Sequence, residues 1–338
     1  MIDLLRFRYL YLLISGLIIV PGLIFMALGG LKPGIDFTGG SELTVVLPPR
    51  VSTSANAVES IVKSVPYNGK ATLDETQAQR VLDDRSYPGQ QEYIIRTRDI
   101  GARTDVQQNI LTKLGAAYNT KTGSVKSIGF FTVGSTVGSD TTSRAALAVF
   151  FAAVAILLYM AFAFRKLRHP FVYGGAAIAA LLHDVLVVLG LFAIMGYFFN
   201  VRIDALFVPA VLTVIGFSVH DTIVVFDRIR ENLGRRSGEP YYTVVNQSLA
   251  QTLGRSLNTS LTVLLTLTAL LLFGGESIRV FVLALLIGIA SGTYSSIFNA
   301  TPLAVIWETG EWRDFFGRGK RGAPGARAMA SRGAGTAR

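Results

Sequence analysis

The chain has 338 residues, of which 51% are hydrophobic and only 16% are charged, and its formal net charge is +10. An ordinary soluble domain carries roughly 25% charged residues, so this composition excludes that class and indicates a membrane protein. Cysteine is absent, which excludes a disulfide framework and a thiolate metal site. The histidines, His169, His183 and His220, are too scattered for a zinc motif, and no G-x-x-x-x-G-K-[ST] phosphate loop occurs. We therefore expect no cofactor, no metal, no nucleic-acid partner and no enzymatic activity.

Several apolar runs reach or approach the roughly 20 residues that cross a bilayer. The predicted spans are Tyr9–Leu31, Ala145–Phe164, Pro170–Asn200 (with Asp184 inside it), Ala205–Phe226, Ser256–Gly275 and Val280–Trp307. The first run lacks a small-residue cleavage site and is longer than the core of a typical secretory signal, so we predict a retained helix. The predicted fold is a polytopic α-helical membrane protein with six transmembrane helices.

A soluble domain is predicted between the first two spans, because the charges of residues 32–144 nearly balance. Alternating or helical spacing predicts, in order, a strand in Ser41–Leu47, a helix in Ala57–Val65, a weak strand within Lys70–Leu82, a strand in Glu92–Arg98, a helix in Asp105–Tyr118 and a strand in Val125–Val133. The order β-α-β-β-α-β is that of a ferredoxin-like domain.

Two glycine-rich motifs join this domain to the spans. In GIDFTGG the residues Gly34, Asp36, Gly39 and Gly40 are predicted to form a hinge, since glycine tolerates the positive φ of a sharp turn. The second motif, GSTVG (134–138), is predicted to be a turn that returns the chain to the membrane, with residues 139–142 as candidate N-caps of the second span.

The orientation follows from the basic residues beside the spans. One side carries Arg6 and Arg8, the group 165–168, the arginines of 228–236 and the tail after residue 312, whereas the opposite short loops carry only Arg202 and Arg279. We expect both termini to be cytoplasmic and the domain 32–144 to be exoplasmic. The remaining spans occupy 145–311, and the basic tail 312–338 is predicted to be disordered and attracted to anionic lipid.

Asp221 is the most informative residue, because an ionised carboxylate inside a spanning helix is costly and usually marks an ion path, a proton relay or a buried pair. It lies roughly 8 Å from the cytoplasmic end of the fourth apolar run at 1.5 Å per residue. The first turns of the fifth span, which carry Arg255 and several polar residues, lie at the same level.

Helical spacing places these polar residues on two faces. On the fifth span Arg255, Asn258 or Thr259, Thr262 and Thr266 share one face, and on the fourth span Ser218, Asp221 and Thr222 share another. Polar faces are costly against lipid, so we expect both to turn inward, with Arg255 as the partner of Asp221. Burial disfavours the ionised carboxylate and a guanidinium favours it. The pair is therefore either a proton relay or a structural link between the helices.

Two further polar residues accompany this pair. Asp184 lies near the middle of the third span beside His183, where it is a second relay candidate or a structural hydrogen-bonding group. His220 either shares the relay or faces a neighbouring helix.

Three motifs carry a resemblance to a known family. GIDFTGG after the first span, GFSVHDTIVVFDRIREN (Gly216–Asn232) and QTLGRSLNTSLTVLLT (Gln251–Thr266) resemble the SecF family of bacterial SecD–SecF protein-export subunits, within the resistance-nodulation-division superfamily. The resemblance implies a SecD partner, the SecYEG channel and an unfolded preprotein on the outer side of the inner membrane. It also implies that the essential aspartate and arginine of the family are Asp221 and Arg255, with Asn258 and Thr259 in the adjacent polar stretch.

The expected function is therefore the use of the proton-motive force, together with SecD, to complete preprotein translocation. A passive assembly or docking subunit without its own proton relay is the alternative, in which Asp221 and Arg255 would matter only for assembly. A half-transporter for lipids or drugs is a weaker third hypothesis, because no apolar pocket is evident in the sequence of the outer domain.

Overall fold

The computed structural model describes residues 3–67, 71–73, 76–81, 87, 89–101, 103–165, 169–236, 238–275 and 278–311; the basic tail lies outside them. Along the chain the elements are α1 (Arg8–Ala27), β1 (Lys32–Pro33), α2 (Ile35–Thr38), β2 (Gly40–Val46), α3 (Ala55–Lys63), β3 (Pro66–Tyr67), β4 (Ala71–Thr72), β5 (Gln77–Arg80), β6 (Glu92–Thr97), α4 (Thr104–Tyr118), β7 (Lys126–Val133), α5 (Ser135–Phe164), α6 (Pro170–Phe199), β8 (Arg202–Ile203), α7 (Phe207–Arg235), α8 (Tyr241–Phe273), α9 (Arg279–Ser295), a π-helical turn (Ser296–Ala300) and α10 (Thr301–Thr309).

The described residues contain six helices long and apolar enough to cross a membrane, which confirms the predicted number. Three spans, namely α6, α7 and the continuous α9–π-turn–α10, are the most buried, whereas α1, α5 and α8 lie at the periphery. The peripheral helices expose large apolar side chains such as Leu17, Leu158 and Leu265. An apolar exterior of this extent is that of a multi-pass membrane protein.

The sheet domain between α1 and α5 has the predicted ferredoxin-like topology. Its four strands are antiparallel and lie in the order β5-β6-β2-β7, with α3 after β2 and α4 after β6. The weak strand predicted within residues 70–82 is β5, which pairs with β6 at the edge of the sheet.

The alternation of buried and partly exposed side chains along the strands explains which residues form the core of this domain. In β6 the side chains of Tyr93 and Ile95 are fully buried while their neighbours are only partly so, as the period of two in a strand requires. Helix α3 presents Val58 and Val62 to the same core, and Ser54 caps it by accepting a hydrogen bond from the Ala57 N–H at 3.2 Å.

The second glycine motif is not a turn, contrary to prediction. Helix α5 begins at Ser135 with Gly134 as its N-cap, so residues 139–142 lie inside the helix rather than at its cap. Gly138 is needed for close approach instead: a Cβ there would lie 2.6 Å from the backbone nitrogen of Gly39. The two glycine motifs therefore pack backbone to backbone, an arrangement that local turn chemistry does not reveal.

Candidate functional site: buried carboxylates of the membrane domain

Asp221 lies at the centre of α7 (Phe207–Arg235) and is only 3% exposed. Its Oδ2 atom has no hydrogen-bond partner among the described residues. Ser218 and Thr222 lie on the same buried face of α7, as their spacing predicts. A buried carboxylate oxygen without a donor is destabilising, so the folding of this chain alone does not account for Asp221.

Helix α8 runs antiparallel to α7, and side-chain hydrogen bonds fix the register between them. Asn232 Nδ2 donates to Ser248 Oγ at 2.8 Å, and Arg228 Nε donates to Gln251 Oε1 at 2.6 Å. Continued along both helices, this register brings Asp221 to the level of residues 256–260. The predicted common level of Asp221 and the polar part of α8 thus follows from contacts nearer the helix ends.

The expectation that Arg255 turns inward to pair with Asp221 is wrong for this chain. Arg255, Asn258 and Thr259 are all exposed, and no ion pair joins Arg255 to Asp221 in the part of the chain described. From residue 255 onward, the buried residues of α8 are Ser256, Ser260 and Leu267 instead. Ser260 accepts a hydrogen bond from Thr293 Oγ1 of α9 at 2.6 Å.

Side-chain size explains which face of α8 is buried. Serines let α8 approach α7 and α9 closely, whereas a buried arginine would need a complete set of acceptors. The remaining surface of α8 divides into two exposed stripes. One is polar (Arg255, Asn258, Thr259, Thr262 and Thr266) and is called the polar stripe below; the other is apolar (Leu257, Leu261 and Leu265).

His220 is exposed on the outer side of α7. It therefore does not share the buried face of Asp221, although it is the next residue in the chain. Of the two roles considered for His220, the structure favours a position toward a neighbouring helix or lipid.

Asp184 is held by the densest polar cluster of the membrane domain. Its carboxylate is 1% exposed and accepts hydrogen bonds from Ser218 Oγ (2.5 Å) and Ser295 Oγ (2.7 Å) at Oδ2. Oδ1 accepts from Ser291 Oγ (2.7 Å) and lies 3.0 Å from His183 Nδ1. The donors come from α6, α7 and α9, so Asp184 joins the three most buried spans.

A second layer of hydroxyl groups adjoins this cluster. Thr222 Oγ1 lies 3.0 Å from Ser296 Oγ and donates to the Ser218 carbonyl at 3.0 Å. Ser296 begins the π-helical turn, a feature that is frequent at functional sites.

Sequence reasoning found Asp184 but missed Ser291, Ser295 and Ser296. The available signal was the i, i+4 spacing of Ser291 and Ser295 within a mostly apolar span. Small hydroxyl residues are common at helix contacts in membranes, so this spacing alone does not single out a carboxylate-binding face.

The first glycine motif, called the hinge motif below after its predicted role, has the predicted positive φ at two of its three glycines. Gly39 and Gly40 have φ of +73° and +134°, whereas Gly34 has an ordinary φ of −81°. Gly34 is required for close approach, since a Cβ there would lie 2.9 Å from the Ile203 carbonyl oxygen.

The hinge motif is tied directly to the loop between α6 and α7. Strand β1 pairs with β8 in parallel, and Asp36 Oδ2 accepts the Ala205 N–H at 2.8 Å. Burial raises the pKa of the Asp204 carboxyl, and the nearby Asp36 carboxyl raises it further. The two helices that carry Asp184 and Asp221 are therefore connected at their sheet-domain ends to the base of the sheet domain.

The buried side chains of this site are carboxylates and hydroxyl groups, which are able to exchange protons. No group of three or more His, Cys, Asp or Glu side chains lies together within the described ranges. Carboxylates and hydroxyl groups in the centre of a membrane domain are instead the groups that accept, hold and pass protons.

The chain matches two family models. Residues 113–310 match "Protein export membrane protein SecD/SecF, C-terminal", a range that contains Asp184, Asp221 and Arg255. Residues 24–47 match the "SecD/SecF GG Motif", which contains the hinge glycines.

Similar proteins and structures agree with these matches. The protein translocase subunit SecF of Thermobaculum terrenum is 48% identical over 94% of this chain and 98% of its own length. That of Anaerolinea thermophila is 42% identical over 95% and 99%, respectively. The crystal structure of SecDF, a translocon-associated membrane protein from Thermus thermophilus, aligns with a TM-score of 0.71 at 29% identity. This alignment covers 90% of the present chain but only 38% of the SecDF chain.

Proposed function

Because the chain belongs to the SecF family of membrane subunits with a role in protein export, we propose that it drives the late steps of export with the proton-motive force. In this proposal Asp221 takes up and releases protons. The complex with SecD acts on preprotein that emerges from the SecYEG channel. Each proton that crosses contributes about 2.3 kcal/mol per 100 mV of membrane potential.

One observation carries the proposal, namely the buried and incompletely hydrogen-bonded carboxylate of Asp221. A group of this kind destabilises the resting fold, since removing a carboxylate from water without a partner is costly. A purely structural link between helices would be expected to satisfy both of its oxygens with hydrogen-bond donors. The unsatisfied Oδ2 atom of Asp221 supports the relay over the structural link.

The exposed polar stripe of α8 indicates that a partner helix covers it in the membrane. Arginine, asparagine and threonine side chains are costly against hydrocarbon, yet this stripe lies on the outside of the isolated chain. The SecDF chain is far longer than the segment matched here. We therefore propose that a transmembrane helix of the SecD half packs on the stripe and that Arg255 acts at this seam, near the level of Asp221.

A single cysteine at Thr262 is expected to form a crosslink to SecD, whereas one at Leu261 is not. The chain has no cysteine of its own, so each variant carries one reactive thiol. Adjacent helical positions differ by about 1.5 Å in depth but by about 100° in direction. Thr262 lies on the polar stripe, and Leu261 lies on the apolar stripe with 55% exposure. Crosslinking of the purified complex with a maleimide–benzophenone reagent, which attaches to the single thiol and inserts into a neighbouring C–H bond on illumination, checks this, and equal yields at both positions would contradict the proposed seam.

The proposed orientation places both termini in the cytoplasm and the sheet domain on the outer side of the inner membrane. The basic flanks of the spans support it. In this orientation the sheet domain meets emerging preprotein, while the basic tail after residue 312 contacts anionic lipid.

The contacts of the hinge motif provide a route by which a shift of α7 reaches the sheet domain. Protonation of Asp221 changes the packing of α7, and the loop that precedes α7 bonds to the hinge motif through Asp36 and Gly34. A shift of α7 is thereby transmitted to β1 and to the first strand of the sheet domain. The close contact of Gly138 with Gly39 adds α5 to the same joint.

The function is tested with proteoliposomes that contain the channel, the complex of this chain with SecD, and a preprotein arrested part-way across. We expect an imposed proton gradient to speed the completion of translocation, and a protonophore to remove the effect. Vesicles without this chain are the control and should not respond to the gradient. If the chain stimulated translocation equally with and without a gradient, the passive assembly role would replace the proposed one.

A further inference from the structure

Asp184 has a hydrogen-bond arrangement that can change with its protonation. The ionised carboxylate accepts four donors, two at each oxygen, and no lysine or arginine among the described residues pairs with it. The groups that balance its negative charge are therefore serine hydroxyl groups and the imidazole of His183. Such a charge is stable only while all the donors stay in place.

The cluster also contains a place for one more proton. Ser295 Oγ lies 2.7 Å from Asp184 Oδ2 and 3.2 Å from the carbonyl oxygen of Gly292. When a proton binds at Oδ2, the new O–H can donate to Ser295 Oγ, and the Ser295 hydroxyl hydrogen turns to the Gly292 carbonyl. Ser218 then donates to a neutral oxygen, and a hydrogen bond of this kind is about half as strong as one to a charged acceptor.

We propose that Asp184 is a second proton-carrying residue of the export cycle, and that its protonation weakens the Ser218 link between α6 and α7. The proposal rests on the proton-driven function proposed above. Ser218 lies one helical turn before Asp221 on the same buried face of α7. Release of Ser218 therefore frees the turn that carries the primary carboxylate.

The titratable groups around this cluster can be named element by element. His183 lies beside Asp184 on α6, and its Nε2 atom has no partner among the described residues. On α9 the ring of Tyr294 lies 6.2 Å from that of His183, and its hydroxyl donates to the Tyr11 carbonyl of α1. On α7 the nearest acid in sequence to Ser218 is Asp221. No acid contacts Asp184 directly in the described ranges. Ser218, which donates to Asp184 and lies one helical turn from Asp221, connects it to the other buried carboxylate.

The test measures proton flux through the complex of this chain with SecD in proteoliposomes. An acid pulse is applied outside, a trapped pH-sensitive dye follows the interior, and co-purification with SecD scores assembly. We expect Asp184→Asn, an isosteric neutral variant, to assemble normally and to lower proton flux by at least about tenfold, as expected when a proton-transfer group is lost. An assembled Asp184→Asn complex with wild-type flux would overturn the proposal.

If Asp184→Asn fails to assemble, serine variants test the proposed role of Asp184 instead. Ser218→Ala and Ser291→Ala each remove a donor that favours the ionised carboxylate. The pH of half-maximal flux should therefore move upward in both variants, by about one unit for a lost bond of about 1.4 kcal/mol. Ser248→Ala removes a buried hydroxyl that bonds Asn232 between α7 and α8, away from this cluster, and should leave the pH profile unchanged. Identical pH profiles in all three serine variants would overturn the proposal.

Asp221→Asn in the same assay separates the two proposals. If Asp221→Asn keeps wild-type flux, the proton-driven function fails and the role of Asp184 fails with it. If Asp221→Asn loses flux and an assembled Asp184→Asn complex does not, only the second carboxylate is rejected.

Discussion

Replacing Asp221 by asparagine is expected to reduce proton-driven export by about 10²-fold or more, the scale at which positioned proton-transfer groups act. Asparagine has nearly the same size and shape but cannot exchange a proton, so α7 keeps its packing. The variant replaces the carboxylate, whose buried Oδ2 atom has no donor, by a neutral amide, which is less costly to bury than a charge. The chain should therefore be as stable as the wild type or more stable, while its function is lost.

Loss of export without loss of stability distinguishes a proton relay from a structural link. An aspartate that only links helices would lose stability when it is replaced. Removal of one member of a buried link destabilises by about 3–5 kcal/mol when the partner is left charged, and the complex would then assemble poorly. Gradient-dependent translocation, thermal unfolding in detergent and co-purification with SecD are the three measurements. Asp227→Asn is the matched control, since Asp227 is exposed on the same helix and pairs with Arg230. A variant Asp221→Asn that exports normally, or that no longer binds SecD, would refute the relay.

The second large effect, a loss of folding stability, is expected from a substitution at the contact between α1 and α6. A Cβ at Gly190 would lie 2.9 Å from the Cα of Gly22, and a Cβ at Gly22 would lie 2.6 Å from the Cα of Gly190. The obstructing atoms are backbone on both sides, so no side chain can rotate away. We expect Gly190→Ala to destabilise the fold by about 1–3 kcal/mol, the usual cost of overpacking.

Gly174→Ala on the same helix is the control for this prediction. No heavy atom lies within 4 Å of a Cβ added at Gly174, so this variant changes helix propensity alone, which favours alanine by about 1 kcal/mol. Thermal unfolding of both variants in detergent should therefore give shifts of opposite sign. Equal midpoints would indicate that α1 and α6 separate at little cost.

The contact of Gly22 with Gly190 also illustrates what a sequence does not specify. Glycine is frequent in membrane helices, and neither residue belongs to a motif whose partner can be read from spacing. Only the packed structure shows that the two backbones touch.

The architecture, in contrast, could be predicted almost completely. The spans follow from the length of apolar runs, and the sheet domain follows from alternation in β6 and its neighbours. Both signals are local, because the hydrocarbon thickness and the pleat of a strand impose them on each segment separately. The motifs around Gly39, Asp221 and Arg255 were likewise sufficient to indicate the SecF family.

The start of α5 was predicted less well for a related reason. A glycine is compatible with a turn and with a close helix contact, so the composition of the motif at 134–138 does not distinguish the two. In the structure this motif is helical, and Gly138 makes a close contact with Gly39.

By itself the sequence determined that Asp221 lies within a membrane span, that Arg255 and Asn258 share a helical face, and that the two groups lie at one level. Tertiary structure decided that the polar face of α8 points outward and that Asp184, rather than Asp221, is surrounded by serine hydroxyls. The physical reason is that helical periodicity fixes the angles between side chains on one helix, whereas the direction of the neighbouring helix depends on how side chains of several spans fit together. Small serines form the inner face of α8, and Arg255 lies on its outer face.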